Sequence, residues 1–174
     1  MLTPSNTLSP SKKAALVGMM IAVLEAGKFA LSFLPNVEVV TLFLILFSLA
    51  FGREVWFAVA GFVLLEGILY GFGIWWVMYV YIWPSLVAVT KLFRKKGSHM
   101  FWAILAAAYG LGFGFFCAIP YLFVGGLKTA VSWWIAGIPY DLIHAVSNFT
   151  LMLVLFRPLY KAMEKLASRL YGNT

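Results

Sequence analysis

The chain has 174 residues, 63% hydrophobic and 11% charged, with a formal net charge of +7. A soluble domain carries about a quarter charged residues, so this chain lacks the polar surface to cover a globule of its size. The composition excludes a sizeable soluble domain and points to an integral membrane protein with room for about six spans of roughly 20 residues.

Residues 1–12 are polar and rich in Ser, Pro and Thr, and read as an N-terminus outside the membrane. The apolar run that follows is span-length and no small-residue cleavage site closes it, so a retained first span is expected in place of a cleaved signal peptide. Span 1 is expected from about Lys13 to Phe33, stopped by Pro35-Asn36. Along it Ala14, Gly18, Ala22, Ala26 and Ala30 recur every four residues, a groove that lets another helix approach closely. Span 2 is short, Val39 to about Phe51. Span 3 runs from Val55 to about Phe72 and ends at a Gly-Phe-Gly break. Span 4, Trp75 to Phe93, carries Pro84, where a kink is expected. The loop from Arg94 to His99 follows. Span 5 is expected over Met100 to about Phe123, softened by Gly110, Gly112, Gly114 and Pro120. The connection from Val124 to Ile138 is the longest, with room for a short interfacial helix. Span 6 is expected to start at Pro139, a favoured first helical residue, and to run to about Leu155. Residues 157–174 form an amphipathic tail. The only cysteine, Cys117, lies in an apolar run, has no disulfide partner and reads as a small core residue.

Six spans put both termini on one side. Eleven of the thirteen Lys and Arg fall on that side, only Lys128 on the other, and Lys28 lies within span 1. By the positive-inside rule both termini are cytoplasmic. The expected fold is therefore an all-α integral membrane protein, a compact six-transmembrane-helix bundle forming one domain, multi-pass in a cell membrane. The basic residues mark orientation and form no soluble surface for nucleic acid.

Orientation then gives depth. At about 1.5 Å per residue, Lys28 lies about 8 Å below the outer end of span 1 and Glu25 about 12 Å; Glu66 lies about 9 Å down span 3. On span 6, Asp141 sits near the outer end, His144 about 7 Å down and Asn148 about 13 Å down. Asp141, His144 and Asn148 share one helix face at i, i+3 and i+7 among apolar neighbours. Ionisable groups in lipid are costly and usually functional, and their grouping in the outer half predicts one polar pocket opening outward. Structural roles stand beside this: Glu25 and Lys28 neutralising each other, Asp141 capping its own helix, and Trp75, Trp76, Trp133 and Trp134 forming an interfacial belt. The chain has no Walker lysine motif, no His-Glu-x-x-His motif and no Gly-x-Ser-x-Gly elbow. No metal site is expected, because His99 and His144 fall on opposite sides of the membrane.

The ladder Ala14, Gly18, Ala22 followed by Leu34-Pro-Asn-Val-Glu38, the short span 2 ending Leu49-Ala-Phe-Gly52, and Pro139-Tyr-Asp-Leu-Ile-His-x3-Asn148 resemble the substrate-binding S components of energy-coupling factor (ECF) vitamin transporters. The resemblance covers nearly the whole chain, through loose motifs in combination. It implies a non-enzymatic subunit in a bacterial cell membrane that captures a vitamin from outside and has no cofactor of its own. It further implies docking on a transmembrane T subunit above two cytoplasmic ATP-binding subunits, through small residues that here map to Ala14, Gly18 and Ala22. Asp141, His144, Asn148 and Glu66 would be the polar ligand contacts, with Trp75, Trp76, Tyr79, Trp133 and Tyr140 as apolar cover. The Asp-x-x-His-x-x-x-Asn pattern looks most like a branch with a cobalamin-specific member; pyridoxine, pantothenate and folate stay open. Two other classes are also open: a small intramembrane enzyme using Glu66, Asp141 and His144, and an accessory protein whose polar residues only hold helices together.

Overall fold

The computed structural model describes residues 8–96 and 98–172, and among these every regular element is a helix. The polar terminus expected over 1–12 lies outside the described residues up to position 7, and the last two positions of the tail lie outside them too. The helices are α1 (Pro10–Ala30), α2 (Val40–Ala50), α3 (Glu54–Tyr70), α4 (Ile74–Leu92), α5 (His99–Leu111), α6 (Phe113–Ala118) and α7 (Tyr121–Tyr171). Two stretches, His99–Ala118 across α5 and α6, and α7, are long and apolar enough to cross a membrane.

Successive long helices alternate in direction. Ile21 packs over Gly61 and Lys28 bonds Glu66, so α1 and α3 run the same way. Trp76 of α4 returns alongside, its indole donating to the Val63 carbonyl at 2.8 Å. The Tyr109 hydroxyl of α5 donates to the Ile82 carbonyl of α4, which also accepts from Ser85 at 2.7 Å. Pro84 thus sits inside an uninterrupted α4, beside a carbonyl that two hydroxyls reach. The α5–α6 arm and α7 form an antiparallel pair: Arg157 meets His99 at 3.2 Å near one end, and Gly114 meets Asp141 further along. At Gly110 the α5 backbone lies so close to His144 that an added Cβ would stand 2.9 Å from its carbonyl carbon.

The core is centred on α2. Its sequence, Val-Thr-Leu-Phe-Leu-Ile-Leu-Phe-Ser-Leu-Ala, is apolar on all sides, which suits a helix buried on all sides. Eight of its eleven residues are buried, against α1, α3, α4, α5 and α7. It is about 16 Å long, shorter than every helix it packs against, and the connection 31–39 extends its path.

The element expected as span 6 differs most. No helix begins at Pro139. The chain breaks at Gly126 (φ 74°, ψ −176°), a conformation that favours glycine, and the helix then runs on through Pro139 and Pro158. The connection expected over 124–138 is therefore helical for nearly all its length, and Asp141 is a helix-interior residue. Each proline removes one amide donor, but packing along α5 and α6 holds the helix together. Span 5 also ends earlier than expected, with α6 closing at Ala118.

Beyond Pro158, α7 crosses the basic end of the bundle. His144 bonds Glu38 just before α2, and the Tyr171 hydroxyl reaches the Phe51 carbonyl just after α2 at 3.2 Å. Between those contacts α7 rises about 40 Å and the α2 path about 20 Å, so the tail turns under the bundle. Leu159, Tyr160, Met163, Leu166 and Leu170 pack upward onto the core, while Lys161, Lys165 and Arg169 are exposed. Burial, and then the Glu54 carboxylate at 3.1 Å, push the Tyr171 hydroxyl above its ordinary range, so it stays a donor.

Candidate functional site

A cavity of about 350 Å³ lies at the end of the bundle away from most of the basic residues, between α6 and the upper part of α7. Phe113, Cys117, Trp133, Tyr140 and Asp141 line it, and Asn36 closes one side. Asp141 is 5% exposed. Its Oδ1 accepts the Gly114 amide at 2.9 Å, and its Oδ2 is buried with no hydrogen-bond partner. The break between α5 and α6 at Gly112 makes this possible, because it turns the first amides of α6 toward α7. Asp141 therefore caps an amide of a neighbouring helix and not of its own.

One turn down α7, the buried His144 ring stands edge-on to Phe113, with centroids 4.9 Å apart. Its Nε2 lies 3.0 Å from Glu38 Oε1, and Glu38 Oε2 accepts the Thr41 amide at 2.9 Å. The Ser147 hydroxyl donates to the Asn36 carbonyl at 3.1 Å. The connection 31–39 is thus laced to α7 at two points. Asn148, the third polar residue of the face, is buried one turn further on. His144 Nδ1, Asn148 Nδ2 and Thr41 Oγ1 are buried without partners.

Glu66 lies in a different neighbourhood. It is fully buried on α3 and bonded to the Lys28 ammonium, with Glu25 beside it. Lys28 does not pair with Glu25 on its own helix, as its i, i+3 spacing allowed. It sits over the rings of Tyr70 (4.6 Å) and Tyr79 (5.6 Å), a cation–π arrangement. A line of ring contacts joins this cluster to the other: Tyr79 to Trp83 at 5.4 Å, Trp83 to Phe113 at 5.6 Å, and Phe113 to His144.

The structure therefore brings together Asp141, Trp133 and Tyr140 at the cavity, with His144 and Asn148 beneath, and sets Glu66 and Tyr79 apart at the far end of the aromatic line. Trp75 packs edge-on to Tyr79 at 5.4 Å, and Trp76 is tied to the α3 backbone, so neither lines the cavity. Ala14, Gly18 and Ala22 are all exposed on one face of α1, with Leu16, Met20 and Leu24 buried on the other. Sequence reasoning missed Glu38, Asn36 and Phe113 as site residues. A carboxylate three residues before Thr41 at the start of a short apolar helix was the available signal for Glu38. No family model, curated protein or solved structure matches this chain.

Proposed function

We propose that this protein is a membrane-embedded binding subunit of the S-component type, taking a small micronutrient from outside the cell for an ECF-type importer. The carrying observation is the inverted polarity of α7. It buries Asp141, His144 and Asn148 and exposes Leu142, Ile143, Val146 and Val154. In water that arrangement would expose apolar surface and desolvate polar groups at once; in lipid it places the polar groups in a protected interior. On this reading the helical arms, with the short α2 extended by the connection 31–39, form six crossings of a bacterial plasma membrane, with the basic end in the cytoplasm.

A cavity of about 350 Å³ is at the small end of the range for small-molecule sites. It suits a one-ring vitamin such as pyridoxine, or pantothenate, better than cobalamin, whose corrin far exceeds it. The exposed face of Ala14, Gly18 and Ala22 is the proposed contact with a T subunit, which would rest on two cytoplasmic ATP-binding subunits. Calorimetry of the purified chain against the B vitamins tests the reading: one of them binds at sub-micromolar affinity without turnover, and a screen with no ligand overturns it.

One observation favours a second reading, the intramembrane enzyme. His144 is oriented by Glu38 and keeps a buried Nδ1 free, as a general base would. In that case the chain converts its bound ligand, and His144→Gln removes turnover while leaving binding in place.

A further inference from the structure

The half of the bundle that holds the cavity is electronegative in a protein that is positive overall. Four of the six acidic residues, Glu25, Glu38, Glu66 and Asp141, are in that half. Two of the basic groups within it are already bound, Lys28 to Glu66 and His144 to Glu38. Lys128 stands exposed on α7, five residues before Trp133. None of the described side chains lining the cavity is basic. Asp141 lines it with one carboxylate oxygen spent on Gly114 and the other buried and unpartnered. Trp133, Tyr140 and Phe113 line the same cavity and supply its ring surfaces. A buried carboxylate without a counter-charge, walled by aromatic rings, recognises an organic cation: the charge pairs with the carboxylate and the cation is attracted to the ring faces.

The geometry points to an organic cation, a protonated amine or quaternary nitrogen on a small ring or chain, as the ligand of this cavity, with the Asp141 carboxylate as its anionic group. This rests on the binding-subunit reading and narrows its substrate to one charge class.

The test is calorimetry on the purified full-length chain in detergent at neutral pH, with ligands paired by charge. Pyridoxamine is compared with net-neutral pyridoxine, choline with uncharged 3,3-dimethylbutan-1-ol, and thiamin with uncharged thiochrome; pantothenate and biotin serve as anions. The expected result is that at least one cation binds, at least tenfold more tightly than its neutral partner. Asp141→Asn then removes that preference. Asparagine keeps the oxygen that accepts the Gly114 amide and changes only the unpartnered position, so the melting temperature stays within a few degrees. The wild-type comparison stands even if the variant fails to fold. Tighter binding of a neutral or anionic vitamin overturns the cation inference and leaves the binding-subunit reading intact, as does cation binding that Asp141→Asn leaves unchanged. Binding of none of these compounds or of the remaining B vitamins overturns both.

Discussion

Gly114 and Asp141 meet so closely that the glycine has no room for a side chain. Its amide donates to Asp141 Oδ1 at 2.9 Å, and a Cβ built on it would overlap the carboxylate. Gly114→Ala should therefore push α6 from α7, at a cost of about 1–3 kcal/mol, and weaken ligand binding. Gly137 lines the same cavity with nothing within 4 Å of an added Cβ. Gly137→Ala should leave the melting temperature unchanged or slightly raised. Equal effects of the two variants would show that the close approach is not what holds this wall.

Glu38 and His144 act as a pair. Removing the histidine leaves a carboxylate that is 17% exposed without its main partner. His144→Ala should cost about 2–3 kcal/mol, less than a fully buried pair because Glu38 keeps some water. In a cycle with Glu38→Gln, the double variant should be less destabilised than the sum of the singles. Additive effects on thermal unfolding would mean the two side chains do not support each other.

Lys28 and Glu66 give a sharper form of the same experiment, because Glu66 is fully buried. Lys28→Met should destabilise by about 3 kcal/mol, and adding Glu66→Gln should restore most of it, since an unpaired buried charge is the damaging state. If Glu66→Gln gives no recovery in the melting temperature, Lys28 contributes through its packing on Tyr70 and Tyr79.

Cysteine labelling tests the topology. With Cys117, the only cysteine, replaced by serine, a cysteine at position 128 should react with an impermeant maleimide added to intact cells. One at position 95 should react only after the membrane is opened. The opposite pattern would invert the assigned orientation and put the cavity on the cytoplasmic side.

The exposed stripe on α1 separates docking from binding. An added Cβ at Gly18 meets nothing within 4 Å. Gly18→Trp or Ala22→Trp should leave ligand binding to the isolated chain intact and abolish uptake in cells, since either would block the close approach of a partner helix. Equal loss of both activities would mean the stripe packs within this protein.

Much of this was legible from local pattern. The buried face of Asp141, His144 and Asn148 follows from their spacing, and the helix boundaries of α2, α3 and α4 fall within two residues of expectation, because Gly, Pro and Asn mark the breaks. Span 6 was misread because Pro139 has two local meanings, a first helical residue or a tolerated interior one. Packing of α5 and α6 against the residues on either side selects the second, and no window along the chain contains that information.

The sequence alone determines the apolar character of the chain, the concentration of its cations at one end, and which face of each helix is polar or small. These are properties of composition and helical period. The tertiary structure decides which partner each buried charge takes. Lys28 leaves its neighbour Glu25 for Glu66, 38 positions away, and His144 takes Glu38, 106 positions away. A buried charge must find a counter-charge wherever the fold brings one near, and that choice depends on how the helices pack and not on separation along the chain.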